Sequence, residues 1–410
     1  MTNWSMQAAP SVCVRSRINR IIGSMVSAGI AGIASMAVTI NAYIGTSHPV
    51  RLAFIFALLI GLHLLIVPKL WLSRELKIYL AFVAYMLLSL VWTQNVQLAM
   101  NTVTLAINFA LILILFGALV AYHNRRAVVK GMLAGFLIAA IAYTLTQHFP
   151  FVYPESFSYN SIASMYLFGL FATIVFGWFT RRALVPIAIS VLLLVLIAAT
   201  TSIKTNLGIA LGAVTAGIFY FRHVIMAMRK TLILFLAIGV LIVFAIYSND
   251  AFVDQINAGI DRVNLGIHVL LAREDISGDT TLDARKKWES EGLRGWLQNP
   301  VFGYGAEEFR ADYGITSHST PVDLLYNFGL IGFGLFYATL ISLGWRIHRA
   351  MDSATSALRP FLLGLLICYL FISLSGTMYY DALLAVFVAT SAALLRPAPS
   401  EKCLSNNSRS

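Results

Sequence analysis

Long runs of apolar residues with almost no charge divide this sequence, and they limit its fold more than any other feature. The run from Met100 to Tyr122 contains no charged residue, and several other runs are as long. A helix needs about 20 apolar residues to cross a hydrocarbon core about 30 Å thick. Because backbone polar groups cannot stay unpaired in lipid, spanning segments are helices or closed barrels, and the alternating pattern of barrel strands is absent. The sequence therefore predicts an all-α integral membrane protein.

The composition agrees with this class. Of the 410 residues, 59% are hydrophobic and 11% are charged, whereas soluble domains carry about 25% charged residues. This composition excludes an ordinary soluble enzyme and a disordered chain. The sequence contains twelve candidate spans, near Ile21–Tyr43, Arg51–Pro68, Ile78–Trp92, Met100–Tyr122, Val128–Phe149, Ser161–Phe179, Leu184–Ala199, Leu207–Phe221, Thr231–Tyr247, Leu324–Leu343, Phe361–Ser375 and Tyr379–Leu395.

The lysines and arginines predict the orientation of these spans. If the N-terminus with its arginines is cytoplasmic and the sides alternate, most basic residues fall in cytoplasmic loops. The short outer loops then hold only Arg51 and Lys204. This pattern favours twelve spans with both termini in the cytoplasm. The net charge of +11 follows from that topology, because the inner leaflet is anionic, and no nucleic-acid partner is needed to explain it.

One loop is much longer than the others and is predicted to fold outside the membrane. It divides the chain into spans 1–9 (residues 1–247), a loop subdomain (248–320), spans 10–12 (321–396) and a cytoplasmic tail (397–410). Loops of this length are usually functional or disordered. Thr280–Asn299 reads as an amphipathic helix, ended before Pro300, with an apolar face that comprises Leu282, Trp288, Leu293, Trp296 and Leu297. We therefore expect a partly helical subdomain that lies on the membrane.

Two basic positions outside the membrane are candidates for binding an anion. Lys204 lies in TTSIKTNLG, where a helix start favours anions and neighbouring hydroxyl groups add donors. Alone, such a lysine is more often an interfacial side chain that reaches water. Arg285 stands in the loop helix beside Lys286 and Lys287, and a charged run of this kind is usually a solvated face. A planar guanidinium suits diphosphate oxygens, but the sequence does not choose among these three cations.

A histidine and two acids at the same predicted side are candidates for proton transfer. His318 lies where the long loop meets the tenth span, and a neutral imidazole there can act as a general base. Most isolated histidines are structural or merely exposed. Asp323 either orients His318 or caps the span, and Asp381, at the start of the last span, is either catalytic or a common helix-terminal acid.

Other classes of membrane protein lack support in the sequence. No GxxxxGK[ST] motif is present, so no ATP-driven pump is indicated, and no HExxH or comparable metal-binding cluster occurs. The span centres carry none of the ionisable residues typical of an ion or proton pathway. A transporter of lipid-linked oligosaccharides and a non-catalytic scaffold are therefore weaker alternatives to an enzyme.

Three stretches in the second half resemble, in order, segments of the O-antigen ligase and O-antigen polymerase superfamily. SIKTNLGIALGA resembles the family's S-x-[RK]-[TG] segment at a helix start. The stretch ARKKWESEGLRGWLQNPVFGYGAEEF contains its NPxxGxGxxxF pattern, and SHSTPVDLLYNFGLIGFGLF is similar to its SHN-containing segment. Ser319 replaces the usual asparagine, and Lys204 stands where arginine is frequent. The resemblance covers about residues 200–340.

The resemblance implies a metal-independent, inverting glycosyltransferase with a GT-C-like membrane fold, no cofactor and a periplasmic active site in the bacterial inner membrane. Its donor would be a glycan on undecaprenyl diphosphate. Lys204 and Arg285 map onto the positions that hold the diphosphate, His318 onto the candidate base, and Asp381 onto an acidic position of the last span. The acceptor would be lipid A–core oligosaccharide for a ligase, or a lipid-linked repeat unit for an O-antigen or exopolysaccharide polymerase, and the sequence does not separate the two.

Overall fold

A computed structural model describes residues 11–44, 49–147, 159–180, 184–200, 202, 204–218, 280–350 and 358–396. Within these residues the regular secondary structure is helical. The helices are α1 (Ser11–Ile44), α2 (Pro49–Ile66), α3 (Arg74–Ser89), α4 (Val96–Tyr122), α5 (Arg125–Gln147), α6 (Tyr159–Thr180), α7 (Leu184–Ala199), α8 (204–218), α9 (Thr280–Gln298), α10 (Glu308–Tyr313), α11 (Thr320–Arg349), α12 (Arg359–Ser373) and α13 (Ala382–Leu394).

The helices lie where the apolar runs predict them. Six described helices are long and apolar enough to cross a membrane: Ile21–Ala42, Pro49–Ile66, Val96–Tyr122, Arg125–Thr146, Asn160–Thr180 and Thr320–Arg349. Helices also lie over the other predicted spans, except the ninth, Thr231–Tyr247, which falls outside the described residues. The described chain is thus an all-helical membrane protein. The count of twelve spans and the GT-C-like arrangement stay predictions.

Arginine contacts gather at one end of the bundle, which we call the basic end. Arg346, near the end of α11, makes a 3.2 Å ion pair with the buried Glu75 at the start of α3. It also donates to the carbonyl of Ala392 in α13, at 3.1 Å. Arg125, at the start of α5, donates to the carbonyl of Ala393. The end of α11, the end of α13 and the start of α3 therefore meet at one level of the bundle.

The loops meet at the opposite end, which we call the loop end. It comprises the α3–α4 connection, the segment between α9 and α11, and the turn between α12 and α13. The hydroxyl of Tyr85, one turn from the end of α3, donates to the carbonyl of Phe302 at 2.9 Å. The hydroxyl of Thr93 donates to the carbonyl of Ala306 at 3.0 Å. His318 and Asp381, which precede α11 and α13, lie at this end, away from the basic end.

Helix α11 is broken at Gly329, and the loop replaces its missing hydrogen bonds. Gly329 has φ 61° and ψ −163°, far from helical values. In a continuous helix, the N–H groups of Leu330 and Ile331 would donate to residues four positions earlier. Instead, the amides of Leu330 and Ile331 donate to loop carbonyls, and the helix carbonyls that they leave accept from loop amides. The four hydrogen bonds are Leu330 N to Pro300 O, Ile331 N to Val301 O, Tyr304 N to Tyr326 O and Gly305 N to Asn327 O.

Glycine is required where the loop backbone touches α11. Gly303 has φ 70°, and a Cβ atom there would lie 2.5 Å from the backbone of Asn327. A Cβ atom on Gly329 would lie 2.3 Å from the carbonyl oxygen of Val301. Gly329 permits the break, and a Cβ atom on Gly334 would meet no described atom within 4 Å.

Replacing Gly303 with alanine is expected to destabilise the protein by about 2–5 kcal/mol. The positive φ costs about 1–2 kcal/mol for an L-residue, and overpacking against backbone costs about 1–3 kcal/mol. Thermal unfolding in detergent measures the loss. Gly314→Ala is the matched control for backbone conformation, because Gly314 has φ 72° but open space around it. Equal losses in the two variants would contradict the contact with α11.

Helix α9 packs against α11 through glycines, and two leucines of its predicted apolar face lie on the protein surface. A Cβ atom on Gly292 would lie 2.4 Å from Val322, and one on Gly295 would lie 2.3 Å from Tyr326. Leu293 and Leu297 are 41% and 68% exposed on the surface of the described chain. The bounds of the predicted helix are confirmed to within one residue. Its buried face is the one that lets α9 approach α11 closely.

Candidate functional site

The turn between α12 and α13 is where Lys204, Asp381 and the segment of His318 meet. Lys204 begins α8, and its Nζ atom donates to the carbonyl of Ser375 at 2.9 Å. Helix α8 approaches α12 closely, because a Cβ atom on Gly212 would lie 2.3 Å from the carbonyl oxygen of Gly364. A Cβ atom on Gly376 would lie 2.6 Å from Nζ of Lys204. Small residues on α8, on α12 and in the turn therefore set the position of the ammonium group.

His318 is held beside the same turn by its neighbours. The hydroxyl of Ser317 donates to the carbonyl of Ser319 at 2.9 Å and accepts from the amide of Ser319 at 3.1 Å. Two residues after His318, the hydroxyl of Thr320 donates to the carbonyl of Gly376 and accepts from the amide of Met378 at 2.8 Å. Lys204 and the His318 segment thus bind adjacent carbonyl groups, those of Ser375 and Gly376.

The backbone of His318 adopts a conformation that few residues accept. Its φ is 57°, and its ring centroid lies 5.9 Å from that of Trp288 in α9. A non-glycine residue with positive φ is uncommon, and such strained residues cluster at functional sites. The contact with Trp288 joins the loop helix to this position.

The two acidic candidates both have structural partners. Asp323 is buried, and its carboxylate accepts from the amide of Ser317 at 3.1 Å and from the hydroxyl of Thr377 at 3.3 Å. It therefore ties the His318 segment to the α12–α13 turn. Asp381 caps α13 by accepting from the amide of Leu384 at 2.8 Å.

Arg285 stands in α9, but its side chain lies outside the described residues. Its position is three residues before Trp288, so both positions lie on one face of the helix. Lys287 is exposed and lies 3.9 Å from Glu291 one turn further along. This pair is typical of a solvated helix surface. Of the cations in this run, the position of Arg285 is the one on the side of His318.

Two acids at the loop end, Glu307 and Glu308, were not predicted from the sequence. Glu308 is buried, and one carboxylate oxygen accepts from the hydroxyl of Thr93 and from the amides of Gln94 and Asn95. It therefore satisfies donors at the start of α4. Adjacent glutamates after glycines look like a solvated turn, and no sequence signal marked their burial.

Among the described residues, Glu307 has fewer hydrogen-bond partners than Glu308. It is 4% exposed, and its Oε1 atom accepts from the hydroxyl of Thr102 at 2.6 Å. Its Oε2 atom lies 3.9 Å from Nη1 of Arg310. Burial raises the pKa of Glu307, and Thr102 and Arg310 only partly oppose that shift. The charge of Glu307 also acts on Tyr380 in the α12–α13 turn.

The loop end therefore combines a fixed ammonium group, an imidazole on a strained backbone and buried carboxylates around one turn. The ammonium group suits an anion. The imidazole suits a proton transfer next to that anion.

Comparison with known protein families identifies the segment that carries these groups. Residues 188–337 match the family model described as O-antigen ligase. The match includes Lys204, Arg285 and His318, ends before Asp381, and confirms the resemblance found in the motifs. No curated protein matches the sequence.

Proposed function

We propose that this membrane protein transfers a glycan from undecaprenyl diphosphate to lipid A–core oligosaccharide, because residues 188–337 match the family model described as O-antigen ligase. The observation that carries the proposal is the binding of Lys204 and Thr320, two residues after His318, to adjacent carbonyl groups. A diphosphate-binding cation and a proton acceptor are the two groups that this transfer requires.

The donor explains the need for fixed cations. A diphosphate is a good leaving group when its developing charge is stabilised, and preorganised cations outside bulk water stabilise charge strongly. Lys204 is held at the turn before substrate binds, so little reorganisation is needed. Arg285 would add a second cation from α9. With these charges supplied by the protein, we expect the transfer to proceed without a bound metal ion.

The acceptor explains the need for the imidazole. The attacking hydroxyl must lose its proton as the glycosidic bond forms and the diphosphate leaves. Neutral His318 accepts that proton near neutral pH. A single displacement of this kind inverts the anomeric centre. Exclusion of water by the loop subdomain would limit hydrolysis of the donor.

The charge distribution supports a periplasmic site. Outside the long loop, which counts little toward orientation, the arginine contacts described above lie at the basic end, and Lys/Arg-rich ends of membrane proteins face the cytoplasm. Lys204 and His318 lie at the loop end. The lipid carrier would therefore present its diphosphate at the outer face of the inner membrane, with its tail beside the helices.

The purified protein in liposomes is expected to transfer glycan from undecaprenyl-diphosphate-linked oligosaccharide to lipid A–core, with or without EDTA. Mass spectrometry of the lipid products provides the measurement. Lipid-linked repeat units are offered as the competing acceptor, and growth of their chains instead of ligation would identify a polymerase. A Lys204→Met/His318→Asn double variant is the matched control. Absence of product with both acceptors would contradict an enzyme and favour a transporter or scaffold.

A further inference from the structure

Glu307 shares with His318 an unusual backbone conformation. Among the described residues, these two are the non-glycine residues with positive φ, at 63° and 57°. Glutamate gains no local benefit from this conformation, unlike asparagine or glycine. The fold keeps both residues in a costly state at the same end of the bundle.

Within the described part of the chain, the carboxylate of Glu307 has hydrogen-bond capacity to spare. A carboxylate can accept about four hydrogen bonds, and Thr102 supplies one to Oε1. The 3.9 Å between Oε2 and Arg310 exceeds hydrogen-bond distance. Glu308, by contrast, uses its carboxylate to hold the start of α4. Burial of a charge costs free energy. A buried carboxylate with few hydrogen-bond donors is therefore a candidate for a function beyond folding.

Glu307 borders the candidate site from the side of α4 and α10. The amide of Gly305 donates to the carbonyl of Asn327 at 2.8 Å, and the amide of Phe309 donates to Oδ1 of Asn327 at 2.9 Å. Glu307 stands between Gly305 and Phe309, and Asn327 lies one turn after Asp323 in α11, so Glu307 is held beside the segment that begins at His318. Lys204 reaches the α12–α13 turn from α8. A carboxylate repels a diphosphate, so the donor's charged group belongs beside Lys204. Neutral hydroxyl groups, which donate well to carboxylates, belong beside Glu307.

We propose that Glu307 is an acceptor-binding residue, whose Oε2 atom accepts a hydrogen bond from a hydroxyl group of the acceptor sugar. This inference rests on the proposed glycan transfer. It divides the site into a donor side at Lys204 and an acceptor side at Glu307. The bond orients the sugar so that another of its hydroxyl groups faces His318.

The test is a kinetic comparison of Glu307→Ala and Glu307→Gln with wild type, using the acceptor that supports transfer in the liposome assay. For Glu307→Ala we expect kcat/KM for the acceptor to fall on the order of 10- to 100-fold through KM, as for loss of a hydrogen bond to a charged group. The donor KM should not change. Glu307→Gln should lose less, because its amide oxygen still accepts, and it also serves if the alanine variant does not fold.

Glu308→Gln is the matched control, since Glu308 is equally buried but bonded to α4. We expect it to lower thermal stability without changing the acceptor KM. An unchanged acceptor KM in both Glu307 variants, or a raised donor KM, would overturn the proposal while leaving glycan transfer intact. Absence of transfer by the wild-type protein would instead reject the proposed function.

Discussion

Replacing His318 with asparagine is expected to reduce glycan transfer by about 10²- to 10⁴-fold, the usual contribution of general acid–base catalysis. Asparagine is chosen because it tolerates positive φ, whereas alanine at φ 57° adds backbone strain to the loss of the imidazole. Single-turnover transfer in liposomes measures the chemical step directly. Thermal unfolding of the same preparation shows whether the fold is kept.

The matched control for this experiment is His348→Asn. His348 lies in the last turn of α11, at the basic end, and its ring centroid lies 6.3 Å from that of Trp345. We expect this variant to transfer glycan at the wild-type rate. Full transfer by a folded His318→Asn protein would remove His318 as the base.

Replacing Lys204 with methionine is expected to lower kcat/KM for the donor by a factor that corresponds to about 1.5–3 kcal/mol, the loss of one hydrogen bond to a charged group. Methionine keeps the length of the side chain and removes its charge. Arg285→Ala is expected to have an effect of the same size, whereas Lys287→Ala should have little, because Lys287 is exposed beside Glu291. Initial rates at varied donor concentration measure these changes.

Arg51→Met is the matched control for Lys204. Arg51 is the other basic residue in the predicted short outer loops, and it is exposed near the start of α2. Its replacement removes the same charge without touching the α12–α13 turn, so donor kinetics should stay at the wild-type level. Normal donor kinetics in both Lys204→Met and Arg285→Ala would reject a diphosphate site formed by these residues.

The helices could be predicted because a membrane span must be long and apolar. That requirement leaves a direct trace in the sequence, and the predicted run from Met100 to Tyr122 lies within α4. The break in α11 leaves no such trace. Gly329 adopts its conformation because the Pro300–Gly305 segment takes over hydrogen bonds of the helix, and that contact joins distant parts of the chain.

The site was predictable in part, because the apolar spans also fix the order in which the loops alternate between the two sides. Alternation of spans and loops predicted that Lys204, His318 and Asp381 face one side, and the structure brings their segments together at one turn. Glu307 was missed because its burial depends on Thr102, which is far away in the sequence. The contacts of Gly292 and Gly295 with α11 were not predicted, because the pattern of α9 marks its apolar face and leaves no signal at small residues that pack against a distant helix.

The hydrogen bonds exchanged between α11 and the Pro300–Gly305 segment have a mechanical consequence. Four main-chain hydrogen bonds join the Pro300–Gly305 segment to Tyr326–Ile331. The segment therefore cannot open as a separate flap unless these bonds break, and any movement that keeps them must move the adjoining part of α11 as well.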